Sequence, residues 1–168
     1  MTRFHVRVAI AGGMILSGIT GAASDPLPTE TFKVLPLTLA LEAAEAAIAS
    51  CKAQGYNTSI AIVDRAGLIK VHLVAEGANV LTRDLSRRKA YTAAVRRTTT
   101  IELAAAVATP GAFNPTLYDT QMVTAGGGVP IKAGNEVIGG IGVSGAPGGD
   151  KDEVCAKAGL AKIQGRVM

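Results

Sequence analysis

The stretch GGIGVSGAPGGDKDE, Gly139 to Glu153, contains a literal G-x-G-x-x-G at Gly140, Gly142 and Gly145. That spacing suits a dinucleotide fingerprint, and its context decides whether it is one. A Rossmann unit needs a strand, a tight glycine turn, and a helix opening directly from it. A second strand with an acidic residue follows about 20 positions on. Here Gly140 and Gly142 fall inside an apolar strand, Val137 to Val143, rather than after it. Ala146 to Gly149 intervene before the next helical pattern, and only one helix remains after it. The dinucleotide reading fails on that context. Glycine inside a strand admits a ligand plane or a second backbone at close range. Gly139, Gly140, Gly142 and Gly145 form a smooth stripe, with Gly126, Gly127 and Gly128 in the preceding segment. Two uses fit equally: a flat slot or subunit contact, or a helix packed directly on the sheet.

Working outward, Thr38 is expected to cap a helix running to Gln54, with an apolar stripe of Leu37, Leu41, Ala44, Ile48 and Cys51. Ser59 to Asp64 and Leu68 to Leu73 read as a hairpin around the turn Arg65-Ala66-Gly67. Thr82 opens a helix through SRRKAYTAAVRR, and Thr99-x-x-Glu102 is a capping box for another through Val107. A loop with two prolines, a short strand VPIK and the glycine-rich strand follow. A last helix starts near Asp150 and carries Cys155. Strands without repeated βαβ units predict an α+β domain with an antiparallel sheet.

The chain is 48% hydrophobic, 18% charged and only 4% aromatic, so its core must be built from Ala, Val, Ile and Leu. Residues 1–23 stand apart. MTRFHVR is basic, an apolar run follows, and Gly21 and Ala23 are small enough for signal-peptidase cleavage. We expect an export signal at 1–23, an extended leader at 24–36 and the domain at 37–168, placing the mature protein in the periplasm or outside the cell. The apolar run is too short and glycine-rich for a stable membrane span. Cleavage would leave 15 basic and 13 acidic residues, a net charge of +2. No basic stripe interleaved with aromatics marks a nucleic-acid surface. In an oxidising compartment the even pair Cys51 and Cys155 suggests one disulfide, with two buried free thiols as the alternative.

GGGVPIKAGNEVIGGIGVSGAPGGDKDEVCAKAGLAKI resembles the C-terminal half of the GlcG/HbpS family of haem-binding proteins. SIAIVDRAGLIK resembles that family's first hairpin and SRRKAYTAA its central helix, so the likeness runs from Leu37 to Ile163. It implies a profilin-like α+β fold with an antiparallel sheet flanked by helices. It also implies self-assembly into dimers and larger rings such as octamers, and binding of haem or another small planar ligand.

Candidate residues follow from that implication. Gly127, Gly128 and Gly140 would line the slot, and Arg87, Arg88 and Lys89 would pair with propionates. Relatives often carry histidine near positions 68 and 81, where this chain has Leu68 and Leu81. His72 and Tyr91 are then the leading axial ligands, with Tyr118 and Met122 behind them. Asp150-x-x-Glu153 fits a weak iron site or, more simply, a helix cap. Ser144 lies outside a G-x-S-x-G elbow. An enzymatic alternative gathers Lys89, Asp64 and Tyr91 around a small organic acid or carbonyl at a subunit boundary. A third reading is an accessory oligomer whose glycines serve packing alone.

Overall fold

The computed structural model describes residues 27–167, so the predicted export segment 1–23 lies outside the described residues. The chain divides into units Met1–Glu30 and Thr31–Met168, and every element below belongs to the second. The order is α1 (Leu37–Ala53), β1 (Ser59–Asp64), β2 (Ile69–Val74), α2 (Val80–Arg96), α3 (Thr100–Val107), β3 (Gly128–Ala133), β4 (Glu136–Ser144) and α4 (Gly149–Ile163). The four strands form one antiparallel sheet in the order β2-β1-β4-β3. This is the α+β architecture that the sequence predicts.

The register explains why the two faces of the sheet differ. Ile60 lies opposite Val143 and Ile62 opposite Ile141. Strand side chains alternate faces, so these aliphatics share one side, where α1 and α4 cover them in the main core. On the other side Ala61 lies opposite Gly142 and Val63 opposite Gly140. There the apolar layer is only Ala61, Val63, Ala90 and Ala94, and α2 lies directly upon it. A Cβ on Gly142 would run into the Ser86 carbonyl and the Ala90 amide, and one on Gly140 into the Ala90 carbonyl. Of the two uses open for the glycine stripe, the strand positions serve helix packing.

Several boundaries differ from expectation for local reasons. Helix α1 starts at Leu37 behind Pro36 with no side-chain cap, so Thr38 lies inside it. Its buried residues are Leu39, Ala40, Ala43, Ala44, Ala47 and Cys51, whereas Leu37 and Leu41 are exposed. The alanine seam faces α4, where Gly159 sits against the Ala43 carbonyl and the Ala47 methyl. Close helix approach thus outweighs the larger aliphatics. Asn79, not Thr82, caps α2 by accepting from Leu81 N. Thr82 instead shares a buried hydrogen bond with Ser59 at 2.7 Å. The Thr99–Glu102 capping box forms as expected. Pro130 stands in β3, an edge strand, where a missing N–H breaks no ladder.

Cys51 of α1 and Cys155 of α4 are joined by a disulfide, with a Cα–Cα distance of 5.5 Å. Leu35 is fully buried, so packing of the domain begins ahead of α1. Among the described residues no helix is long and apolar enough to cross a membrane.

Candidate functional site

Helix α2 is rich in polar residues, and their partners locate the site. Loop backbone groups must find partners somewhere, and here α2 side chains supply many of them. Tyr91 Oη donates to Asp119 Oδ2 at 2.7 Å, and Arg87 Nη1 donates to Gln121 Oε1 at 3.0 Å. Arg88 Nη2 donates to the carbonyls of Thr120 and Met122 at 2.8 and 3.0 Å. Val123 N in turn donates to Thr92 Oγ1 at 3.0 Å. Residues 119–123 are thereby laid along the helix.

Beside them lies a shallow, open cleft of about 380 Å³ lined by Arg88, Thr116, Met122, Val123, Thr124 and Ala125. Arg88 is its single charged residue. Arg87 pairs with Asp84, but among the described residues no carboxylate lies within ion-pair distance of Arg88. In the adjoining loop Phe113 and Tyr118 stack with ring centroids 5.3 Å apart. They are 64% and 77% exposed, and Leu117 is as exposed as Tyr118. A cation in a cleft without acidic side chains, with exposed rings in the same loop, suits a flat, anionic ligand.

Lys89, expected to meet propionates, points the other way. Its Nζ donates to Asp152 Oδ2 at 2.7 Å and to the Val143 carbonyl at 2.9 Å. Asp152 Oδ1 accepts from Ala146 N at 2.9 Å. Burial pushes the Lys89 ammonium down and the Asp152 carboxyl up, while each partner opposes the other's shift. The expectation for Lys89 is corrected: helical geometry turns it under α2, and sequence offered no sign of Asp152 as its partner.

Gly127, at φ +112°, packs against this pair, where a Cβ would lie 2.6 Å from Asp152 Cβ and 3.1 Å from Lys89 Nζ. Gly128 donates to Thr100 Oγ1 at 2.9 Å and abuts the Lys89 carbonyl. With Gly140 beneath Ala90, the three glycines expected along a slot are covered within the protomer instead.

His72 is exposed on the edge strand β2, with Nε2 at 3.2 Å from Ser86 Oγ. Ser86 Oγ donates its proton to the Arg83 carbonyl at 2.9 Å. With the proton on Nε2 the ring donates to this hydroxyl, the reverse of an activated serine. Burial, then the charge of Arg83, holds the His72 pKa below its ordinary value. The hydrogen bond to Asp119, with burial, raises that of Tyr91 and keeps the phenol protonated. Asp64 Oδ1 accepts from Ala66 N and Leu68 N in its own turn. Lys89, Asp64 and Tyr91 thus serve three separate partners, and the enzymatic constellation does not assemble.

Asp150 is exposed in the first turn of α4, whose N-cap is Gly148 without a side-chain bond. The D-x-x-E cap is therefore not made; Asp152 instead reaches back to Ala146. Glu153 is buried, with Oε1 at 2.8 Å from Lys157 Nζ and Oε2 unpartnered. Among the described residues no group of three or more His, Cys, Asp or Glu converges as a metal site. Met122, largely buried, is the one cleft-lining residue with a sulfur able to meet haem iron.

A family model described as haem degrading protein, HbpS-like, matches residues 35–161. An uncharacterised 15.0 kDa protein of Citrobacter freundii, from the dhaT-dhaS intergenic region, is 35% identical over 121 residues, covering 67% of this chain and 82% of that relative. A crystal structure of a double mutant of HbpS from Streptomyces reticuli shares 37% identity with a TM-score of 0.72, covering 83% of this chain and 97% of that one. The crystal structure of a PduOC:haem complex shares 28% identity with a TM-score of 0.72, covering 78% and 96%. With a family match across nearly the whole folded unit and a common architecture, this chain belongs to the HbpS-like family of haem-degrading proteins.

Proposed function

We propose that the protein is an exported, self-associating binder of haem or a related tetrapyrrole, which it holds on the face formed by α2 and the loop 113–125. The observation carrying this reading is the cleft at Arg88, which no acidic side chain lines; the exposed Phe113–Tyr118 stack belongs to the loop that supplies its lining residue Thr116. The relative crystallised as a haem complex supports the ligand class. The basic, then apolar N-terminal sequence supports export. A disulfide fits an oxidising compartment. Exposed Val80, Leu81, Leu117 and Tyr118 supply apolar surface for contact between copies.

Bound haem would supply iron chemistry, and Arg88 is the residue that would hold an edge of it. The cleft is small for a whole macrocycle, so it suits one edge of the ligand while the rings outside offer stacking. Titration of the purified protein with hemin should give a saturable shift of the Soret band at micromolar ligand. Its absence would overturn the reading. Native mass spectrometry of the same sample tests self-association through subunit count. Following the complex under reductant and air separates storage of the macrocycle from its breakdown.

A further inference from the structure

We infer that the Arg88 cleft is a carboxylate subsite: it takes an ionised acid group of the ligand and makes the protein select free-acid tetrapyrroles over esterified ones. This rests on the tetrapyrrole reading and adds a selectivity that the reading alone does not contain. The three cations SRRK offers are not equivalent once folded. Arg87 already meets Asp84 Oδ1 at 2.9 Å and Gln121 at 3.0 Å. Lys89 is sealed against Asp152. Arg88 spends Nη2 on two loop carbonyls, while its Nε is buried without a partner and its Nη1 has no acceptor among the described residues.

Beside Arg88 the cleft offers Thr124 and the loop backbone. Thr124 is half-buried, and its hydroxyl makes no hydrogen bond among the described residues. The backbone N–H groups of Thr124 and Ala125 also find no acceptor there. No acidic side chain lines the cleft. A guanidinium cannot lose its proton, so it keeps its charge throughout the ordinary pH range. Fixed by Thr120 and Met122, it is held in place before any ligand arrives, which lowers the cost of binding. A carboxylate entering the cleft would supply an acceptor for the free side of the Arg88 guanidinium, with Thr124 in the same lining. An ester carries no charge and forfeits the charge-assisted part of that interaction.

The test compares hemin with its dimethyl ester by absorbance titration, using the full chain. Wild type should bind hemin tighter by on the order of tenfold or more. Arg88→Gln should bind both alike, near the affinity of wild type for the ester. Because Arg88 also holds the loop, Thr124→Val supplies a second variant that leaves the two carbonyl bonds intact; it should reduce the preference partway. Equal binding of acid and ester by wild type, or a full preference surviving in Arg88→Gln, overturns the subsite alone. Binding of neither compound removes the tetrapyrrole reading and the subsite with it.

Discussion

Lys89 Nζ lies 2.7 Å from Asp152 Oδ2, with only 3% and 4% of the two side chains exposed. The pair ties the middle of α2 to the first turn of α4, and the Val143 carbonyl brings in β4. Burying two charges costs heavily, and good geometry offsets that cost only while both are present. Lys89→Met or Asp152→Asn should each lower unfolding stability by about 3–5 kcal/mol, because each leaves a buried group without its partner. Lys89→Met combined with Asp152→Asn, which keeps an acceptor for Ala146 N, should recover part of the loss. Urea melts check this, and a double variant as weak as the singles would refute it.

The contact between α2 and β4 makes a second prediction. At Gly142 a methyl group would overlap the Ser86 carbonyl and the Ala90 amide, both backbone atoms of a packed helix. Overpacking of this kind costs about 1–3 kcal/mol, and the rigid neighbours put Gly142→Ala at the upper end. At Gly165 a Cβ meets nothing within 4 Å, so Gly165→Ala is the neutral control. Thermal melts of the two variants should separate clearly. Equal melting temperatures would return the glycine stripe to the slot reading.

These two regions show what the sequence could reveal. The hairpin of Ser59–Asp64 with the following strand is built around the turn Arg65-Ala66-Gly67, and the Thr99–Glu102 box is a local motif whose partners lie three residues apart. Local rules reach such features. They do not reach Lys89, whose partner is 63 residues away and depends on how α4 leaves β4. Nor do they separate Arg87 from Arg88: adjacent residues on a helix point about 100° apart, but only the folded loop shows which one lacks an anion. The glycines mark close approach correctly in sequence while leaving open what approaches. The stripe of α1 misled for a similar reason, since Leu37 and Leu41 outrank alanine in hydrophobicity but not in fit against Gly159.

The disulfide gives a third prediction. Cys51 and Cys155 are separated by 104 residues, so the bond restricts a long loop in the unfolded chain. Non-reducing mass spectrometry should show a Cys51–Cys155 peptide, and alkylation of native oxidised protein should find no thiol. Replacing both cysteines by alanine should cost about 2–5 kcal/mol, the range for native disulfides in small secreted domains. Two alkylatable thiols in oxidised material would contradict the link and weaken the case for export.

Proton binding at His72 gives a fourth, with a definite sign. The ring is partly desolvated, and the guanidinium groups of Arg83 and Arg87 face it from α2; a hydrogen bond with the Arg83 backbone opposes them without reversing the result. The folded pKa therefore lies below the ordinary 6.5. A histidine lowered in this way contributes stability that is present above 6.5 and is lost as pH falls through the folded value. Unfolding free energy should thus decline on acidification below 6.5, and His72→Gln should flatten that part of the profile. NMR titration of the ring should give a midpoint below 6.5, moved upward by Arg83→Ala because one repelling charge is gone. A midpoint above 6.5 would mean that the ring gains an anionic neighbour, and the placement of His72 between Ser86 and two arginines would then be wrong.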